Sequence, residues 1–145
     1  MTAAPRDPDY AERVRTAFAR QGFMTLIGAE LVSVAPGAVE IALPLRPELS
    51  QQHGHAHAGA AWSIADSAAG FAAQTLMAAG DGVVTVELKI SLLAPARGAR
   101  LIARGRVERA GRTLTVCRSD VLAVSEGAET HVAAALGTFM RVAEG

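Results

Sequence analysis

The stretch AGAAWSIADSAAGFAAQTLMAA, residues 58–79, decides the fold that we expect for this chain. Its large apolar side chains recur at helical spacing among alanines, so the predicted helix has no polar, solvent-facing side and belongs in a protein interior. Its single charged residue is Asp66. A buried carboxylate is costly unless it is paired or hydrogen-bonded, so Asp66 needs either a partner or a function.

Strand patterns flank this helix on both sides. Residues 29–45 predict a β-hairpin that turns at Pro36 and Gly37. After the helix, turn residues separate four runs of strand character, at 84–92, 99–109, 112–125 and 128–142. Because short turns join these runs, we predict an antiparallel meander. The predicted fold class is α+β, with one antiparallel sheet wrapped around one long central helix.

The N-terminal segment predicts a second, shorter helix. Asp7 and Pro8 have the residue types of an N-cap and a first helical position, and Gly22 supplies a stop. We treat residues 1–20 as a helical extension of the domain. The segment 46–57 has no apolar periodicity and holds three histidines, which predicts a loop whose side chains can do chemistry.

Composition limits the classes of function. The chain has 145 residues, 14 basic and 14 acidic side chains and 50% hydrophobic residues, which fits one folded domain over residues 1–145. The balanced charge disfavours binding to nucleic acids or to an anionic membrane surface. The N-terminus lacks the apolar run of a secretory signal, and the lone Cys117 excludes an internal disulfide. We therefore expect a cytoplasmic protein that does not cross a membrane.

The start and the middle of the central helix offer two kinds of chemistry. The first backbone N–H groups of a helix lack internal partners, so those near Ala58 can stabilise an oxyanion. Asp66 can act as a general base or a nucleophile, or it can be a structural carboxylate bonded to nearby backbone. The two features lie about 12 Å apart along the helix. One reacting carbonyl cannot contact both within a chain, so a shared reaction requires a two-fold dimer with antiparallel helices.

A spaced motif runs through the histidine-rich loop and into the helix. Its members are Gln51, Gly54, His57, Gly59 and Asp66. With this register the sequence resembles the hotdog-fold acyl-CoA thioesterases, in particular their phenylacetate-pathway-like branch. The resemblance covers about residues 20–142 and continues through 84–90, Pro95, 111–114 and 137–139.

The resemblance implies a role for each of four positions. Asp66 would be the base or nucleophile at the thioester carbon, and the N–H of Ala58 would be an oxyanion donor. Gln51 would bind the carbonyl or position water, and Thr85 would orient the hydrolytic water. Ala58 replaces the family's usual glycine, which keeps the N–H and adds a methyl group. Thr85 has the opposite parity to the apolar residues of its strand, so a regular strand points it away from the helix.

Substrate contacts are expected at four further positions, which are His57, Gly59, Gly70 and Arg97. Small side chains after Asp66 leave room for an aryl or medium-chain acyl group, and arginines can pair with the phosphates of coenzyme A. The implied partners are an acyl-CoA substrate and further copies of this chain, as a dimer or a dimer of dimers. The resemblance implies no cofactor and no metal.

Other interpretations stay open at this point. His53, His55 and His57 would share one side of an extended segment, where three imidazoles can bind zinc, nickel or copper. The alternative is that His57 braces the loop and the other two are surface residues. The chain could also be a non-catalytic acyl-CoA-binding hotdog protein or a hotdog dehydratase, although the loop His and helix Glu expected of a dehydratase are not matched.

Overall fold

The computed structural model of the protein describes residues 3–144. Met1, Thr2 and Gly145, at the ends of the predicted domain and its N-terminal extension, lie outside the described residues. The elements in chain order are α1 (Tyr10–Ala19), α2 (Gly22–Ile27), β1 (Glu30–Ala35), β2 (Ala38–Pro44), a 3-10 turn (Pro47–Leu49), α3 (Ala58–Gln74), β3 (Asp81–Leu92), β4 (Arg100–Ala110), β5 (Leu114–Ser125) and β6 (Ala128–Ala143).

The six strands form one antiparallel sheet in the order β1-β2-β4-β5-β6-β3. The sheet wraps around α3, which packs against every strand from β2 to β6. The predicted α+β class, with an antiparallel sheet around one long helix and a short helix before it, is confirmed. None of the α-helices in residues 3–144 has the length and apolarity that a membrane crossing requires.

The strand order corrects the predicted meander. β4, β5 and β6 are consecutive neighbours as expected, but β3 pairs with β6 at one edge of the sheet and does not pair with β4. Residues 93–99 therefore cross from the edge of the sheet to its middle. Pro95 and Gly98 are typical of a tight hairpin and of such a crossing alike, so the turn signals did not distinguish the two connections.

The two predicted helix boundaries near the N-terminus also need correction. α1 begins at Tyr10, two residues after the predicted start, because Asp7 Oδ1 accepts a backbone N–H at 2.9 Å and forms a turn ahead of the helix. Gly22 is the first residue of α2 and not the end of α1, since Gln21 adopts an extended conformation between the two helices. With only six residues, α2 is too short to show a hydrophobic period.

α3 ends at Gln74, five residues before the predicted end. The guanidinium of Arg13 on α1 lies at this end of α3. Arg13 donates at 2.8–3.3 Å to the carbonyl oxygens of Gln74, Met77, Ala78 and Asp81. One cationic side chain therefore binds the Gln74 carbonyl at the end of α3 and three carbonyls of the segment that follows it.

The central helix makes a close backbone contact with the sheet at Gly105 of β4. A Cβ added at Gly105 would lie 2.6 Å from the Ala69 nitrogen and closer still to the carbonyl group of Ala68. Side chains do not tolerate such distances to backbone, so only glycine fits this position. Because Ala68 is two residues from Asp66, this contact also sets the height of that carboxylate above the sheet.

We expect Gly105→Ala to lower the free energy of unfolding by about 1–3 kcal/mol, the usual cost of overpacking a rigid core. Urea denaturation would measure the change. Gly22→Ala is the matched control, because an added Cβ there meets nothing within 4 Å and alanine favours the helix. Equal midpoints for the two variants would show that α3 can move away from the sheet without cost.

Candidate active site

Asp66 lies in the middle of α3 with its side chain partly buried. Thr85 Oγ1, on β3, donates a hydrogen bond to Asp66 Oδ1 at 2.7 Å. Burial raises the pKa of Asp66 above its ordinary value, and the Thr85 bond partly offsets this because it favours the ionised form. A carboxylate with a raised pKa is a better proton acceptor near neutral pH than an ordinary aspartate.

A β-bulge in β3 directs Thr85 toward Asp66. In the ladder between β3 and β6 the register shifts between Thr85 and Glu87, so Val86 is an extra residue on β3. Val84 and Val86 are 43% and 55% exposed, while Thr85 between them contacts α3. The prediction that Thr85 points away from the helix is therefore wrong, because it assumed a regular strand.

A small pocket of about 70 Å³ lies beside Asp66. Asp66, Thr85 and Gly70 line it together with the ring of Phe139. A Cβ added at Gly70 would approach that ring to 3.4 Å, so glycine keeps this wall of the pocket open. The volume corresponds to about two water molecules at roughly 30 Å³ each.

Gln21 and Ser67 also line this pocket, and neither was predicted as a site residue. Ser67 Oγ donates a hydrogen bond to Gln21 Oε1 at 3.1 Å, and Ser67 is 8% exposed. Gln21 precedes α2, the helix that was not predicted, and lies far from Asp66 along the chain. No spacing or pattern in the sequence indicated that the two residues meet.

The start of α3 presents one free backbone donor. His57 is the N-cap, and its Nδ1 accepts the N–H of Gly59 at 2.8 Å. No hydrogen bond among residues 3–144 uses the N–H of Ala58. Ala58 therefore has the available donor that an oxyanion site needs, whereas the N–H of Gly59 is occupied by the cap. These contacts agree with the bracing role considered for His57.

Gln51 lies in the loop ahead of α3 with its amide orientation set by backbone. Gln51 Oε1 accepts the N–H groups of His53 and His55, which leaves its Nε2 group as the donor for a ligand. Gln51, His57 and Ala58 border a larger pocket of about 470 Å³. Apolar residues, among them Leu92, Leu93 and Pro95, also line that pocket.

The two groups of candidate residues open onto separate pockets of one chain. Ala58 and Gln51 border the larger pocket, and Asp66 and Thr85 border the smaller one. Because α3 is a helix from Ala58 to Gln74, Ala58 and Asp66 lie about 12 Å apart along it. The separation deduced from the sequence therefore holds in the folded chain.

The three loop histidines do not converge. His57 caps α3, and His55 Nδ1 accepts a hydrogen bond from Arg97 Nε at 3.0 Å. Within residues 3–144, no group of three or more His, Cys, Asp or Glu side chains could hold a metal ion. Arg97 thus contacts a histidine of the loop ahead of α3. Its contact with substrate stays a prediction.

Comparison with known proteins agrees with this geometry. Residues 53–129 match the family model described as the thioesterase superfamily. A thioesterase family protein from Silicibacter pomeroyi is 41% identical, with a TM-score of 0.91 over 93% of this chain and 99% of that one. A Deinococcus radiodurans protein with an esterase name is 33% identical over 97% of this chain and 88% of its own length.

The E. coli PaaI protein from the phenylacetic acid degradation operon shares the fold, with a TM-score of 0.83 over 94% of this chain and 96% of its own, at 19% identity. The chain belongs to the thioesterase superfamily. It is a hotdog-fold thioesterase, a hydrolase that acts on thioesters.

The hydrogen bond between Thr85 and Asp66 has a consequence for pH dependence. Thr85→Val removes the hydroxyl and keeps the shape, so the pKa of Asp66 should rise further. If Asp66 must be ionised to work, the acid limb of the kcat/KM profile should move to higher pH. Thr130→Val, at an exposed position of β6, is the matched control and should leave the limb in place. If the acid limb of Thr85→Val stays in place, the hydrogen bond from Thr85 does not tune Asp66 as a base.

Proposed function

We propose that this thioesterase hydrolyses aryl- or medium-chain acyl-CoA to a carboxylic acid and coenzyme A, at a site built from two subunits. The observation that carries the proposal is the partly buried Asp66 carboxylate, bonded by Thr85 and lying about 12 Å from the free N–H of Ala58. The apolar pocket beside Ala58, of about 470 Å³, is of a size that suits such an acyl group.

In the proposed reaction, Asp66 accepts a proton from water as the water oxygen attacks the thioester carbon. The developing oxyanion is stabilised by the N–H of Ala58, aided by the positive end of the α3 dipole, and by the amide nitrogen of Gln51. Collapse of the intermediate breaks the carbon–sulfur bond, and the proton held by Asp66 passes to the departing thiolate. Asp66 then returns to its ionised form.

The second subunit is proposed to cover the β3 edge. Within residues 3–144, no strand pairs with β3 on the side away from β6. Val84, Val86 and Leu92 leave apolar side chains exposed along this edge, and Trp62 of α3 is 37% exposed beside Leu88. A long apolar edge strand readily pairs with another chain. A two-fold pairing here would bring the Ala58 end of one α3 toward Asp66 of the other.

A panel of acyl-CoA thioesters, assayed by the thiol released, tests the proposal. We expect saturable release, with kcat/KM highest for phenylacetyl-, benzoyl- or hexanoyl-CoA and lower for acetyl-CoA, which fills little of the apolar pocket. The Asp66→Asn variant is the control for background hydrolysis. Saturable binding of acyl-CoA without release of thiol would contradict the proposal and indicate a binding protein. A preference for acetyl-CoA would contradict the acyl class.

A further inference from the structure

The pocket beside Asp66 contains a polar side chain with no part in the proposed reaction so far. Gln21 enters it from the junction of α1 and α2, and Ser67 holds its Oε1 with a hydrogen bond of 3.1 Å. Ser67 is 92% buried on α3, one residue after Asp66. An amide that is anchored by a buried hydroxyl has a defined orientation, which a surface glutamine lacks.

We propose that Gln21 is a water-positioning residue of this thioesterase, whose side-chain oxygen and Asp66 together hold the attacking water; this rests on the proposed function. The amide oxygen has two lone pairs, and Ser67 occupies one of them. The other can accept a proton of a water molecule. The pocket of about 70 Å³ has room for that water, at roughly 30 Å³ per molecule.

The chemistry of hydrolysis favours this arrangement. A water that donates one proton to Asp66 and the other to Gln21 directs a lone pair at the thioester carbon. As the oxygen–carbon bond forms, the first proton passes to Asp66, and the second stays with the new carboxyl group. The carbon–sulfur bond breaks, and the thiolate takes its proton from Asp66. Gln21 itself exchanges no proton, so a neutral amide is sufficient.

Because the rest of the pocket wall, among the described residues, is uncharged, the role of Gln21 can be tested by introducing a charge at position 21. Asp66 is the pocket's only titratable wall residue within residues 3–144. The elements packed around it contribute uncharged groups, which are Gln21 before α2, Ser67, Gly70 and Phe71 on α3, Val83 and Thr85 on β3, and Phe139 on β6. A second carboxylate introduced at position 21 would therefore act on Asp66 without competing charges on the pocket wall.

The decisive variant is Gln21→Glu, assayed by thiol release across pH. Two carboxylates in one small pocket raise each other's pKa, so the acid limb of the kcat/KM profile should move to higher pH. Thr16→Glu is the matched control: it adds the same charge at an exposed position of α1, and its acid limb should match the wild type. An acid limb that is the same in both variants would overturn the proposal, because it would show that the side chain at position 21 lies too far from Asp66 to hold the same water.

Two neutral variants keep the proposal open to contradiction if Gln21→Glu does not fold. Gln21→Ala should lower kcat by about 2- to 10-fold, the contribution of one hydrogen bond, with KM unchanged. Ser67→Ala should lower kcat in the same way, and the double variant should be no slower than Gln21→Ala alone. Additive losses, or a loss confined to KM, would overturn it. If wild type itself releases no thiol, the proposed function fails; if it does and Asp66→Asn does not, only the assignment of Gln21 is at stake.

Discussion

Asp66→Asn is expected to lower kcat by about 10²–10⁴, the usual effect of removing a general base. Asparagine keeps the shape of the side chain and can still accept the hydrogen bond from Thr85. It cannot accept the proton of the attacking water. Thiol release at saturating acyl-CoA measures the change. More than about a tenth of the wild-type activity in a folded Asp66→Asn protein would show that this carboxylate is not the proton acceptor.

Asp66→Asn should lower activity without lowering the free energy of unfolding, so a stability measurement is the control for its folding. The pKa of Asp66 is raised in the folded chain, so folding favours its protonated form. The contribution of this group is therefore complete at low pH and is lost as the pH rises through the folded pKa. Asparagine avoids that loss, and Asp66→Asn should resist urea at neutral pH at least as well as the wild type. A marked loss of stability would mean that the ionised carboxylate serves the fold.

The central helix and most of the sheet were predictable because their signals are local. Apolar residues on all sides of the segment beginning at Ala58 indicate burial, and period-2 alternation indicates strands, whatever lies elsewhere in the chain. Cys117 lies inside one of these strands, β5. It is fully buried, and burial raises its pKa to about 12.

The missed features depend on contacts between distant parts of the chain. Arg13 of α1 binds the Gln74 carbonyl at the end of α3, and the orientation of Thr85 depends on a register shift against β6. The place of Gln21 depends on Ser67, a residue on another helix. A sequence period reports one element at a time, so it predicted neither the bulge nor the second polar wall of the Asp66 pocket.

A mixture of two inactive variants should recover activity if two subunits build each site. Gln51→Ala removes the amide that we propose to bind the carbonyl, at a cost of about 10²–10³ in kcat if it acts as an oxyanion donor. Asp66→Asn removes the base. Within one chain the two groups border different pockets. In a heterodimer, one site therefore collects both substitutions and the other collects neither.

Co-expression of the two variants with different affinity tags allows the heterodimer to be isolated. Random pairing makes about half of the dimers heterodimers, each with one intact site, so the unfractionated mixture should regain about a quarter of wild-type activity. Purified heterodimer should regain about half. The control is a mixture of Gln51→Ala with Gln51→Ala/Asp66→Asn, in which no dimer has an intact site and no recovery is expected. If the purified heterodimer is as inactive as its parents, each chain builds its site alone, and Asp66 must then work without the Ala58 donor that lies about 12 Å along its own helix.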